Sequence, residues 1–289
     1  MKIYVIIVTF NAMRNSWIDR CISSLRVSTV PVEIIIVDND SIDGTREYVP
    51  ANFPEVIWMP QEKNLGFGQG NNVGIRYALD HRADYVLLLN QDAFLQPTAV
   101  EEMLKVSDGR NLVSPLHLNG DGTRIDKMFR ESLKSVDNQL FDDLLIKGAT
   151  QPAYQVGEVC AACWFMPIDL IKKVGGFNPI FHQYGEDNNY YTRLVYHQRQ
   201  VLIVPKAKVW HDRAVHGNQK LFLTKEIWIR LMVIACDPGL TSMKRIRKYV
   251  LLVMQRPKAV LSNFLYVASH YNRVIKSRNI ERRVGPTWL

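Results

Sequence analysis

The sequence predicts an α/β protein: a Rossmann-like, mostly parallel sheet with helices on both faces, followed by a basic helical C-terminal extension. Three observations carry this prediction. Through roughly the first hundred residues, short β-favouring apolar runs alternate with stretches of helical periodicity. The runs are apolar throughout, as strands buried on both faces of a parallel sheet must be. Charge is also segregated. From residue 220 to 289, fourteen lysines and arginines face three acids, a balance of +11 that leaves −3 for the rest of a chain of net charge +8. The shift predicts a main domain at 1–219 and an extension at 220–289.

Residues 3–8 read as the first buried strand. Trp17, Ile18, Cys21, Ile22 and Leu25 then recur at helical spacing. Residues 32–37, 56–59 and 85–89 are the next three strands, and Val100, Met103 and Leu104 form the apolar face of a helix beyond Pro97. Between them, residues 64–74 interleave glycines with amides, which predicts a loop whose backbone comes close to a partner. The pattern weakens over 111–154, where Asn119-Gly-Asp-Gly122 marks a turn. It returns with a strand at 159–165 and a short helix at 169–176, capped by Asp169 and stopped by glycine. A helix at 186–198 and short strands at 201–204 and 208–210 complete the main domain.

A composition of 47% hydrophobic and 22% charged residues excludes wholesale disorder. The chain starts directly in a strand, without the small-residue cleavage site of a signal peptide, and no apolar run reaches the roughly 18 residues of a membrane span. Cys21, Cys160, Cys163 and Cys236 do not make a disulfide framework. Cys160-Ala-Ala-Cys163 has metal or redox spacing but lacks a second ligand pair, so reduced, packed thiols in a cytosolic protein are expected.

Parallel topology points the carboxyl ends of the strands one way, and ligands bind beyond that edge. The first strand ends in Thr9-Phe10-Asn11, the second in Asp38-Asn39-Asp40 and the fourth in Asn90-Gln91-Asp92. Hydroxyls, amides and carboxylates on one edge suit a nucleotide, with Asp38 accepting from a base N–H and Thr9 and Asn11 meeting ribose hydroxyls. Asn90 and Asp92 share one face of an extended chain, and Asp92 suits a divalent cation; an acidic turn residue is the plainer alternative for that tripeptide alone. No Walker loop or G-x-G-x-x-G follows the first strand, so a cation would neutralise a diphosphate instead.

Together these segments resemble family 2 glycosyltransferases. VTFN at 8–11, VDNDSIDGT at 37–45, NLGFGQGNN at 64–72 and LLLNQDA at 87–93 match that family's blocks in order. VGGFNPIF at 174–181, YGEDNNYYTRL at 184–194 and VWHD at 209–212 continue the match, which covers roughly residues 1–215. The resemblance implies a GT-A type nucleotide-diphospho-sugar transferase fold. It implies inverting transfer of a sugar from a UDP-, dTDP- or GDP-linked donor to a hydroxyl of a polysaccharide or lipid-linked glycan acceptor. By the same resemblance Asp38 recognises the nucleobase, and Thr9, Asn11, Asn64, Gly66, Gly70, Asn71 and Asn90 surround the nucleotide. Asp92 and His211 would hold manganese or magnesium, and Asp187, beside Glu186, would be the catalytic base. Asn90 stands where the family has the first aspartate of its DxD motif, and Asn189 where many members have a further acid. Both departures remove charge and imply an altered metal requirement. Two other functions compete: a sugar nucleotidyltransferase, whose early glycine-rich stretch with Arg and Lys is missing here, and a scaffold built on a degenerate transferase.

In the extension, Val260, Leu261, Phe264, Leu265, Ala268, Tyr271, Val274 and Ile275 form an apolar stripe. Lys244, Arg245, Arg247, Lys248, Arg256, Lys258, Arg273 and Lys276 fall around it. The pattern predicts a basic amphipathic helix on the anionic inner face of a cell membrane, with packing on the main domain or homodimerisation as competing uses. No nucleic-acid module accompanies the charge, so no nucleic-acid partner is expected.

Overall fold

The computed structural model describes residues 1–133, 139–213, 219–257, 260 and 268–289. Its parallel half is made of β1 (Ile3–Thr9), β2 (Glu33–Asp38), β3 (Ile57–Pro60) and β4 (Tyr85–Leu89), in the spatial order β3-β2-β1-β4. The crossovers are helices α1 (Trp17–Arg26), α2 (Thr45–Asn52) and α3 (Gly66–Asp80). Side chains alternate between two cores. Val5, Ile7 and Ile36 pack with Trp17, Ile18 and Cys21 of α1 on one face. Tyr4, Ile6, Ile35 and Val37 pack with Ile75 and Ala78 of α3 on the other. This is the two-sided burial that the uniformly apolar runs predicted.

Residues 66–74, expected as a loop, instead form the first turns of α3. Glycine is a poor helix former, but here it lets the helix lie directly on the sheet. A Cβ on Gly70 would stand 2.9 Å from Val8 Cγ1. Gly66, at φ +80°, has a second constraint: a Cβ there would meet the backbone carbonyl of His182.

The other half of the sheet is not parallel overall. After β5 (Ala93–Leu95) and α4 (Ala99–Val106) come β6 (Leu112–Asn119), α5 (Lys127–Leu133), α6 (Leu140–Asp142), β7 (Tyr154–Val156) and β8 (Cys163–Pro167). These are followed by α7 (Ile168–Val174), α8 (Glu186–Tyr196) and β9 (Val201–His211). β8 runs antiparallel between β4 and β6, β9 is parallel to β6, and β5 and β7 pair antiparallel with β9. The nine-stranded sheet is therefore mixed. The two short strands expected at 201–210 are one strand whose pairing with β6 shifts register after Val204, which is why the apolar pattern breaks there. The helix expected at 169–176 begins at Ile168 with Pro167 at its N-cap, so Asp169 lies in its first turn rather than capping it.

Beyond residue 219 come α9 (Gln219–Cys236), α10 (Ser242–Gln255) and α11 (Tyr271–Glu281). α11 is docked on the main sheet's helices: the Asn178 amide donates to Ser277 and Glu281, and Arg193 donates to Thr287. In the predicted apolar stripe, Leu261, Phe264 and Leu265 lie outside the described residues, as does Lys258. Val260 and Val274 are buried, Val260 with Ile227 and Leu231, Val274 with Phe181 and Met232. These two turn toward protein and not toward solvent.

Candidate active site

The ends of β1 and β4 and the start of α3 enclose a cleft of about 410 Å³. Of the residues predicted from sequence, Asn11, Asn64, Gly66, Asn90 and Asp92 line it. Asn11 adopts φ +52° and its Oδ1 accepts from the Ile42 N–H, which ties the loop after β1 to the loop after β2. The Asn64 carboxamide accepts from the Gly66 N–H and sets the start of α3.

Seven predicted residues do not line the cleft: Glu186, Asp187 and His211, and four expected to meet the nucleotide. Thr9 and Asp38 are fully buried, and Thr9 Oγ1 donates to Asp38 Oδ1 at 3.0 Å. Asp38 also accepts from the Ser41 N–H, the Ser41 hydroxyl and Arg46 Nε. Its acceptor positions are thus taken by protein donors, and it anchors the turn between β2 and α2 rather than facing a base. Gly70 and Asn71 sit on the buried side of α3, with the Asn71 amide donating to Phe67 O. The residue beside Asp38 reaches the cleft instead: Asn39, itself buried, lines it and donates to Gly66 O.

Antiparallel pairing of β5 with β9 sets Ala93 opposite His211 and so brings His211 to Asp92. His211 Nε2 is 3.3 Å from Asp92 Oδ1 and 3.4 Å from the Asn90 amide nitrogen. The Asp212 N–H donates to Asp92 O, and the Asp212 carboxylate is held by Trp17 and Arg20, so the strand end is braced. Asn90 Oδ1 and His211 Nδ1 are buried without a hydrogen-bond partner. Among the described residues these atoms have no protein partner, so water, a ligand or an ion can supply one. Among the described residues no group of three or more His, Cys, Asp and Glu could hold a metal ion. The chain offers two donors, one oxygen and one imidazole, which fits a divalent cation whose other positions are filled by diphosphate oxygens and water.

Glu186 and Asp187 open α8, where backbone N–H groups and the helix dipole favour negative charge. Burial works against it. It pushes the Glu186 carboxyl up to about 8, helped by the charge of Asp187. Burial also raises Asp187, opposed by hydrogen bonds from the Asn188 and Ala161 backbone and by the charge of Arg213. Sequence reasoning missed a third carboxylate. Glu158 accepts from the Asn188 amide and is raised to about 7 by burial and by Asp187. It missed Arg213 as well, which pairs with Asp126 at 2.8 Å and donates to Cys160 Sγ. The positive charge of Arg213 opposes the rise of the Asp187 carboxyl. Both missed residues flank recognisable segments, VWHD and Cys160-Ala-Ala-Cys163, but no local spacing connects them. Arg14, on the short 3₁₀ turn Arg14–Ser16, also lines the cleft, where Asp92 is the acid. All four cysteines are free thiols.

With this geometry in view, comparison with known proteins is decisive. Residues 4–174 match the family model for glycosyl transferase family 2. The chain belongs to that family. A low-salt glycan biosynthesis hexosyltransferase of Haloferax volcanii is 25% identical over 56% of this chain and 52% of its own length. An N-acetylglucosaminyl-diphospho-decaprenol L-rhamnosyltransferase of Mycobacterium tuberculosis is 24% identical over 68% of this chain and 72% of its own. The family 2 chain thus spans about half the length of the first relative. Among solved structures, residues 1–349 of S. aureus TarS superpose with a TM-score of 0.57 at 15% identity, over 88% of this chain and 70% of that one. GalNAc-T7, crystallised with UDP, GalNAc and Mn2+, gives 0.67 at 13%, over 100% of this chain and 55% of that one. At these identities the likeness is one of fold, and the fold is the GT-A type.

Proposed function

We propose that this family 2 chain is an inverting glycosyltransferase that moves a sugar from a nucleoside diphosphate to a hydroxyl of a polysaccharide or lipid-linked glycan. The observation that carries the proposal is the group of Asn90 and Asp92, which line the cleft, with His211 Nε2 3.3 Å from Asp92 Oδ1 and 3.4 Å from the Asn90 amide nitrogen. The relatives' names point to hexosyl and rhamnosyl transfer, and the UDP and Mn2+ bound by structural neighbours support a UDP-type donor and a divalent cation.

The nucleotide would lie along the cleft against Asn11, Asn39 and Asn64, with its diphosphate toward Asp92. Manganese or magnesium held by Asp92 and His211 would offset the negative charge of the diphosphate. Arg14 is a second positive charge that faces the same volume. Asp187, when ionised, would take the proton from the acceptor hydroxyl as that oxygen attacks the anomeric carbon opposite the departing diphosphate. Burial raises Asp187, as suits a base, while the charge of Arg213 and backbone hydrogen bonds oppose that rise. The site of action would be the cytoplasmic face of a membrane that carries the acceptor.

Thermal unfolding against UDP-, dTDP- and GDP-sugars, with and without manganese, tests the proposal, because a ligand bound only by the native state raises the melting temperature by mass action. A well-folded protein that neither binds nor hydrolyses any sugar nucleotide would sink it in favour of a non-catalytic scaffold.

A further inference from the structure

α10 presents apolar side chains on two opposite sides. Leu252 and Tyr249 turn inward, packing with Ile227 and Leu231 of α9. On that same side Arg245 donates to the carbonyls of Ile234, Asp237 and Leu240, which clamps the helix to its neighbour. On the other side Met243, Ile246, Val250, Val253 and Met254 are all exposed, Met243 by 78% and Met254 by 74%. At 3.6 residues per turn these five fall within one arc of about 100°. Arg247, Lys244 and Lys248 follow along one border of the arc, all exposed. No Asp or Glu occurs between Ser242 and Gln255. Single exposed apolar residues are ordinary; five in one arc beside a basic border mark an interaction surface.

We propose that α10 is a membrane-contact helix, lying in the plane of an anionic lipid surface. Its arc centred on Val250 and Met243 enters the boundary between headgroups and acyl chains, and Lys244, Arg247 and Lys248 meet the anionic headgroups. Among the described residues no helix is long and apolar enough to cross a membrane, which agrees with a helix that lies on one. A second copy of the chain is a poorer occupant. Two-fold pairing of the arcs would bring like charges together, with no acid on the helix to separate them. The apolar arc lies on α10, outside the stripe read from sequence, of which Val260 and Val274 are buried and Tyr271 is exposed, while Lys244, Arg247 and Lys248 are basic residues that the same reading singled out. Its purpose rests on the reading of a lipid-linked acceptor, but the contact can be measured without catalysis.

The test is co-sedimentation of the full chain with vesicles of phosphatidylcholine alone, or with about one-third phosphatidylglycerol, at low ionic strength. Strong binding to the anionic vesicles and weak binding to the neutral ones is expected. The triple variant K244Q/R247Q/K248Q should lose roughly a hundredfold in partitioning, at about one kcal/mol per basic residue. I246S/V250S, with all charges kept, should lose roughly tenfold or more. Both variants alter solvent-facing side chains and should melt like the parent. No binding by the parent, or equal binding by parent and both variants, would overturn the proposal. So would a dimer in light scattering that I246S/V250S dissociates without any vesicle binding. If vesicle binding behaves as expected while no sugar nucleotide raises the melting temperature, the transferase reading fails and the surface stands.

Discussion

His211 Nε2 lies 3.3 Å from Asp92 Oδ1 because β9 pairs antiparallel with β5, one residue beyond Asp92. The register of a strand pair, and not the sequence spacing, brings the two proposed cation donors together. Their neighbour Asn90 contributes an amide where the family's motif has a carboxylate.

Asn90→Asp therefore adds a charged oxygen beside Asp92 and His211. Manganese should bind more tightly, and the manganese concentration that gives half-maximal activity should fall about tenfold, on the scale of one charge-assisted contact. Activation by manganese that is unchanged in this variant would show that Asn90 lies outside the cation's reach.

Asp187→Asn removes the base but keeps the shape of the α8 N-terminus. Transfer should fall by roughly a thousandfold, within the usual range for general-base loss. Donor-induced thermal stabilisation should stay close to that of the parent. Loss of donor binding together with transfer would move Asp187 into the nucleotide pocket instead.

Glu186 and Asp187 titrate as a pair, so the ascending limb of the kcat/KM profile reports both. With Glu186 raised to about 8 and Asp187 raised as well, activity should climb through neutral pH. Glu186→Gln removes a neighbouring negative charge and should shift the limb to lower pH. A limb that does not move would show that the two carboxyls are uncoupled.

Arg14→Gln takes away a cation that lines the same cleft as Asp92. Nucleoside diphosphate affinity should drop about tenfold, roughly 1.4 kcal/mol, while affinity for the free nucleoside stays the same. Calorimetric titration with both ligands separates the outcomes, and an equal loss for each would place Arg14 at the base or ribose.

Glu281 is raised to about 7 by burial, against the opposing charge of Arg193. A carboxyl whose folded pKa exceeds its unfolded value binds more protons in the native state. Its contribution is therefore fully present below about pH 4.5 and is lost as pH rises toward 7. The melting temperature should fall across that window, and Glu281→Gln should flatten the fall. A fall of the same size in the variant would assign it to Glu158 and Glu186, which are raised in the same sense.

Much of the parallel half was legible in the sequence, because a strand buried on both sides must be apolar throughout. Asp92 and Asn90 were legible as a strand end, and Glu186 and Asp187 as the acidic start of a helix. The helix from Gly66 was not, because glycine's low helix propensity is outweighed only by close packing on Val8 and its neighbours. Asp38 was misplaced for a related reason. Its residue type suits a ligand, but the hydroxyl of Thr9, the turn at Ser41 and Arg46 claim it first. β6 and β7 fall in a stretch of weak pattern, and they are strands because β8 and β9 supply their partners.

By itself the sequence determined the βα alternation and the family, and it singled out the acids and histidine proposed for the chemistry. Each of these depends on residue type and local period, which a single segment carries. Only the tertiary structure decided that His211 meets Asp92, that Arg213 meets Asp126 and Cys160, and that an open apolar face of the basic extension belongs to α10. Those relationships arise from strand register and from which face a neighbouring element covers. Both are properties of pairs of segments, and neither partner's sequence contains them alone.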